Sequence, residues 1–178
     1  MDDRARLKPQ SAALTIAAIA AATLGGAWYF ELVLGLAPCP LCLDQRVPYY
    51  VAIPLALLLA ALARDPGRAR HLRTGFYLLA FLFVIAAGLG IYHAGIEWKL
   101  WAGPATCAGA TLTPPGDILS SLRAPTRFVP CDEAAWRLLG ISLAGYNALI
   151  AGALALFALS VARNWSFRGA AKRRTRNP

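Results

Sequence analysis

The sequence predicts an all-α membrane protein, a bundle of four transmembrane helices with two loops on its outer side. Three observations predict it. Hydrophobic residues make up 58% of the 178 residues and charged residues 15%, with a mean hydropathy of +0.50; a soluble domain of this size needs a more polar surface. Four apolar segments run along the chain at about 11–30, 47–63, 74–96 and 138–162, each near the roughly 20 residues that span about 30 Å of hydrocarbon. The charges, finally, are clumped into short basic clusters between those segments. Residues 1–178 read as one integral membrane domain.

Within lipid the backbone must satisfy its own hydrogen bonds, so each segment is expected to be a helix. The first has the charged start and Ala-rich core of a signal peptide, but its apolar run is too long for one, and it is read as a retained span. The second is the shortest. Pro48 is expected in its first turn, where a missing N–H is no loss, and Pro54 is expected to kink it.

The basic residues orient the bundle. Of the 18 Lys and Arg, only Arg46, Lys99, Arg123, Arg127 and Arg137 fall in the segments about 31–46 and 97–137. The rest lie at the N-terminus, in 64–73 and in the tail. Positive-inside logic puts both termini and 64–73 in the cytoplasm and the two other loops outside. The net charge of +9 is thereby explained without nucleic acid, and the tail Lys172–Arg176 reads as a topology anchor near anionic lipid. Trp28, Tyr29, Tyr49, Tyr50, Tyr92, Trp98, Trp101 and Trp136 form the expected aromatic belt at the outer boundary. Asp117–Leu122 reads as a short amphipathic helix lying on the membrane.

All four cysteines, Cys39, Cys42, Cys107 and Cys131, lie in the outward loops. Outside the inner membrane, paired thiols persist as disulfides, and four cysteines allow three connectivities. Cys39 and Cys42 form a C-x-x-C pair before the second span. So small a ring stabilises poorly as a static staple and suits reversible oxidation. A helix N-terminus and a nearby cation both favour thiolate, and Arg46 lies about one helical turn beyond Cys42. Cys107 and Cys131 sit in a long, proline-rich loop of the kind that is often functional; a static bridge between them would stabilise by roughly 3 kcal/mol. A zinc site is disfavoured, because the second pair lacks the close spacing of a zinc knuckle. His93, near the outward end of the third span, either reaches interfacial water or donates to a ligand carbonyl. His71 lies among basic residues and reads as solvated.

The run Cys39-Pro-Leu-Cys42-Leu-Asp-Gln-Arg46 resembles the C-x-x-C-x-x-x-R signature of the DsbB family of bacterial disulfide bond formation proteins. The resemblance extends to the four spans, to Tyr92-His93 late in the third, and to the second cysteine pair, over roughly 11–162. It implies an enzyme of the bacterial inner membrane, a quinone-dependent thiol:disulfide oxidoreductase. A periplasmic DsbA-type, thioredoxin-fold oxidase would deliver electrons to a Cys107–Cys131 disulfide through a mixed disulfide at Cys107. Cys39–Cys42 would receive them, and Cys42 would pass them to a membrane quinone, ubiquinone or menaquinone. By the same resemblance Arg46 would stabilise the thiolate and the quinone, and His93 would be a secondary quinone contact. A DsbA-type oxidant has a potential of about −120 mV, so its reoxidation needs a strong downstream acceptor. Two details depart from the most familiar member of the DsbB family: Pro40 follows the first cysteine, and Gln45 replaces an acidic residue before the arginine. Two other readings are a vitamin-K-epoxide-reductase-like quinone reductase, whose C-x-x-C usually comes later in the chain, and a non-catalytic membrane scaffold with static disulfides.

Overall fold

The computed structural model describes residues 8–104, 107, 127–128 and 130–174. Among them are four long helices: α1 (Pro9–Leu32), α2 (Pro40–Leu62), α3 (Ala69–Glu97) and α4 (Leu143–Arg174). Each is long and apolar enough to cross a membrane, α4 over Leu143–Asn164. The all-α, four-span fold class is the observed one.

Alanines packed around a few large side chains make the bundle. Ala12, Ile16 and Ala20 of α1, Ala52 and Ala56 of α2, Phe76 and Phe83 of α3, and Ala151 and Ala158 of α4 meet in one buried cluster. Lipid supplies no hydrophobic drive between helices, so close backbone approach and dispersion must hold them. Gly90 shows how close: a Cβ there would lie 2.8 Å from the backbone nitrogen of Ala148 in α4. Leu14, Leu57, Phe81 and Leu156 point away from the bundle and are 46–70% exposed. In water that would be a very large apolar patch, whereas in a bilayer it is the ordinary outer surface.

The helices are not packed evenly. α3 lies most extensively against α4, α2 bridges α1 and α3, and α1 barely meets α4. A crevice is therefore left between α1 and α4. At one end of the bundle two loops are tied together by a short parallel pairing of β1 (Leu36–Ala37) with β2 (Arg127–Phe128). Lys99, just past α3, reaches the Asp132 carboxylate at 2.6 Å. These ties bring the segments carrying all the cysteines to that end.

Three sequence expectations need correction. The second span starts not near Val47 but at Pro40, with Cys39 as N-cap and Pro40 in the first turn. Cys42 and Arg46 are thus helical, and Pro48 lies well inside the helix, which continues through both Pro48 and Pro54. The fourth span starts not at Leu138 but at Leu143, because a hairpin of β3 (Arg137–Leu138) and β4 (Ile141–Ser142) precedes it. Leu139 and Gly140 at its tip have φ of +49° and +82°, the two positive φ values of a type I′ turn. Ser142 then caps α4, its hydroxyl accepting from the Gly145 N–H at 3.2 Å, which satisfies one of the free donors of the first turn. Tyr49, finally, is no belt residue. It is 2% exposed, with its ring edge-on to Phe83. The expected amphipathic helix at Asp117–Leu122 lies outside the described residues.

Candidate active site

Cys39 and Cys42 occupy the first turn of α2 because Pro40 presets its helical φ and Cys39 caps it. The Cys39 sulfur accepts from the Cys42 N–H at 3.3 Å, and the two sulfurs are 2.7 Å apart. Cys39 is buried, while Cys42 is partly open. The hydrogen bond from Cys42 holds the Cys39 thiol down to about 5; burial opposes this, and the nearby His93 reinforces it. A helix N-terminus adds to the preference for thiolate.

Cys107 and Cys131 form a disulfide with a Cα–Cα distance of 5.2 Å. Both are buried and join Cys39, Leu41 and Ile96 in one small apolar cluster, with Cys42 packed against it. The two pairs, far apart in sequence, are thus neighbours.

Arg46 was expected as a cation near the thiols, one helical turn beyond Cys42. It is instead buried, donating from Nη1 to the Glu31 carboxylate at 2.5 Å and from Nη2 to the Ala27 carbonyl at 3.5 Å. Its guanidinium lies 5.8 Å from the centre of the Trp28 ring, a cation–π distance. Glu31 and α1 therefore hold Arg46 in place and compensate its charge.

His93 is buried, at 4% exposed, and does not reach solvent. Its Nδ1 is 2.8 Å from the Gln45 side-chain nitrogen, and its Nε2 is 3.8 Å from the Cys39 sulfur and 3.9 Å from the Glu97 carboxylate. Gln45 continues the network: its Oε1 accepts from Asn147 Nδ2 at 2.8 Å, and Asn147 Oδ1 accepts from the Tyr49 hydroxyl at 2.6 Å. The second Glu97 oxygen is buried and has no hydrogen-bond partner among the described residues.

A cavity of about 300 Å³ opens beside these groups, in the crevice left between α1 and α4. Cys42, Arg46, His93 and Glu31 line its polar end, and Phe30 and Ile150 are among its apolar walls. A few polar groups converging in an apolar pocket is the usual make-up of a ligand site.

The structure thus brings Cys39, Cys42, Arg46 and His93 to one cavity and sets Cys107 and Cys131 against the first pair. Donor atoms of Cys39, Cys42 and His93 also lie within 4.8 Å of one another, the spacing of a soft-metal site. The Gln45 side-chain nitrogen, however, lies against His93 Nδ1 at 2.8 Å, and an imidazole that accepts there carries its proton on Nε2, with no lone pair toward the sulfurs. Glu31, Glu97, Asn147 and Tyr49 were not foreseen as site residues. Glu31 and Glu97 carried no signal of it, since each stands at the first residue of an expected outer loop, where a carboxylate is ordinary.

The model of the family described as disulfide bond formation protein DsbB matches residues 9–161. Disulfide bond formation protein B 1 of Pseudomonas fluorescens is 35% identical over 173 residues, 92% of this chain and 96% of that protein. Disulfide bond formation protein B of Marinobacter nauticus is 32% identical over 154 residues, 80% of this chain and 85% of that protein. Its namesake in Xanthomonas oryzae pv. oryzae is 32% identical over 149 residues, covering 79% and 82%. No solved structure matches the chain.

Proposed function

The chain belongs to the DsbB family of disulfide bond formation proteins, multi-pass inner-membrane thiol oxidoreductases, and from that premise we propose that it reoxidises a periplasmic DsbA-type dithiol oxidase and passes the electrons to a membrane quinone. The observation that carries this reading is the contact between the two cysteine pairs, with Cys42 facing a cavity lined by Arg46 and His93. The family membership favours it over a vitamin-K-epoxide-reductase-like enzyme.

Electrons enter at Cys107–Cys131. A thiolate of the partner attacks Cys107, forming a mixed disulfide and releasing Cys131 with the electron pair of the broken bond. Cys131 packs in the same cluster as Cys39, so exchange onto Cys39–Cys42 needs no long movement. In that exchange the Cys131 thiolate bonds to Cys39, the Cys39–Cys42 bond breaks, and Cys42 leaves with its electron pair as the thiolate at the cavity.

The cavity fits a quinone head group. It is near the lower end of ligand-site volumes, its walls are apolar, and its polar end offers a guanidinium and an imidazole. A quinone bound there would supply the terminal oxidant, taking up two electrons and two protons. Arg46 favours negative charge at that end, and Glu31 keeps it from swinging to the Cys42 sulfur alone. The crevice between α1 and α4 gives a membrane-soluble ligand a lateral route in. Positive-inside charge puts both termini and the α2–α3 turn in the cytoplasm and the cysteines in the periplasm, the whole chain acting as one membrane domain.

The test is reoxidation of a reduced DsbA-type partner by the purified protein with ubiquinone or menaquinone. Catalytic turnover is expected. Cys42→Ser and Cys107→Ser should each abolish it, while Cys107→Ser should leave Cys39–Cys42 able to react with quinone. Absence of turnover with either quinone would overturn the proposal. Thiol trapping separates a static scaffold, which would keep both pairs oxidised on quinone depletion, from an enzyme, which would accumulate reduced Cys39 and Cys42.

A further inference from the structure

We propose that Gln45 is a positioning residue for the redox pair: braced by Asn147 and Tyr49, its side-chain amide holds His93 in the tautomer whose Nε2–H faces the Cys39 sulfur.

The orientation of each amide follows from its neighbours. The Gln45 nitrogen lies 3.1 Å from the Leu41 carbonyl, and the Asn147 nitrogen lies 3.4 Å from the Ala86 carbonyl. Turning either amide over would set oxygen against oxygen in the protein interior. Gln45 therefore presents N–H to His93 Nδ1 and oxygen to Asn147. Asn147 in turn presents oxygen to Tyr49, whose hydroxyl donates. An imidazole that accepts at Nδ1 carries its proton on Nε2 when neutral. On that side of the ring lie the Cys39 sulfur and a Glu97 oxygen, both able to accept.

The titratable groups facing the ring are Cys39 and Cys42 at the start of α2, and Glu97 on α3 itself. α4 contributes Asn147, which does not titrate, and the Glu31–Arg46 pair lines the same cavity. Gln45, His93 and Glu97 are all buried, so the network works at low dielectric, where a satisfied hydrogen bond is strengthened and a missing one is costly.

The consequence is chemical. When an attacking thiolate breaks a disulfide to Cys39, a new S–S bond forms to the other sulfur. Cys39 leaves with the electron pair of the broken bond, and no proton moves. A leaving thiol of lower pKa leaves faster. The Nε2–H offered to that sulfur stabilises it as it leaves and keeps it reactive afterwards. The inference rests on reading Cys39–Cys42 as a redox pair, and on neither the partner nor the quinone.

The chain has two histidines, so nitrogen-15 histidine NMR of the full-length protein in lipid nanodiscs, with Cys39 and Cys42 reduced and Cys107–Cys131 bonded, and with His71→Gln for assignment, reads the tautomer directly. His93 is expected neutral with its proton on Nε2. In Gln45→Leu that preference should be lost, and in Gln45→Glu the proton should be drawn onto Nδ1. In parallel, the pH profile of Cys39 alkylation is measured in a Cys42→Ala background. Gln45→Leu should move its midpoint up by about one pH unit, as expected for losing one hydrogen bond to a charged group. Retention of the Cys107–Cys131 disulfide monitors folding; should Gln45→Leu not fold, the wild-type tautomer alone decides. A proton on Nδ1 in the wild type, or an unmoved alkylation midpoint in folded Gln45→Leu, would overturn the inference. Failure of quinone-dependent turnover would count against the proposed function and leave this measurement standing.

Discussion

The guanidinium of Arg46 is bound to the carboxylate of Glu31, Nη1 to Oε2 at 2.5 Å, across the interface of α2 and α1. The Arg46 side chain is 10% exposed and that of Glu31 27%. A cation so far from water needs this partner. Glu31→Ala is expected to destabilise the protein by about 1–3 kcal/mol through the unpaired guanidinium. Glu31→Gln, which keeps an acceptor oxygen, should cost less. Thermal unfolding in detergent checks both, and equal losses would show that the pair does not hold Arg46.

Gly90 sets the α3–α4 distance. A Cβ there would press on the backbone of Ala148 and Ala144, whereas one at Gly88 meets nothing within 4 Å. Gly90→Ala should destabilise by about 1–3 kcal/mol, the usual range for overpacking. Gly88→Ala should be neutral or gain up to about 1 kcal/mol from helix propensity. The two melting temperatures, compared side by side, decide the point.

Asn147 ties three elements together. It meets Tyr49 and Gln45 of α2 and the Ala86 carbonyl of α3 from its place on α4. Asn147→Leu leaves Gln45 Oε1 and the Tyr49 hydroxyl without these partners. A loss of about 1–3 kcal/mol is expected, and a neutral substitution would mean that the network adds nothing to stability.

The Cys39 thiol is lowered from an ordinary value of 9.0 to about 5. A group depressed in the folded state contributes stability that is complete above its unfolded value and is lost as pH falls through its folded value. The contribution of Cys39 to the stability of the reduced protein should therefore be complete above pH 9, fall away as pH drops toward 5, and be absent below. The alkylation rate of Cys39 should likewise be close to its plateau already at pH 6, where an ordinary thiol is almost wholly protonated. Rates of iodoacetamide labelling against pH measure this; a midpoint near 8.5 would contradict it.

Leu139 occupies the left-handed region at φ +49° and is 91% exposed. A branched side chain there carries a steric cost of roughly 1–2 kcal/mol that asparagine largely escapes. Leu139→Asn is expected to raise thermal stability by about 1 kcal/mol, provided the leucine packs on nothing, and a drop would reveal such a contact.

Much of the fold was legible because its causes are local. Twenty apolar residues and a basic flank need no tertiary information to be read as a span. The boundaries were less legible. The second span begins at Pro40 because Cys39 caps the helix and Pro40 fits its first turn, a local signal masked by the greater polarity of Asp44-Gln45-Arg46. The fourth begins at Leu143 because Leu139-Gly140 turns a hairpin, a use of leucine at positive φ that turn preferences do not favour.

The sequence by itself determined the class of protein, the four spans, and the six residues singled out for chemistry: Cys39, Cys42, Cys107, Cys131, Arg46 and His93. Hydropathy, charge and motif spacing are properties of neighbours along the chain, and they suffice for that. Only the tertiary structure decided what those residues touch. Glu31 meets Arg46 across 15 positions, Gln45 meets His93 across 48, and Asn147 meets Gln45 across 102. Such partners are chosen by which helix faces pack together, and in this bundle by small residues that let the backbones close until buried polar groups must find one another.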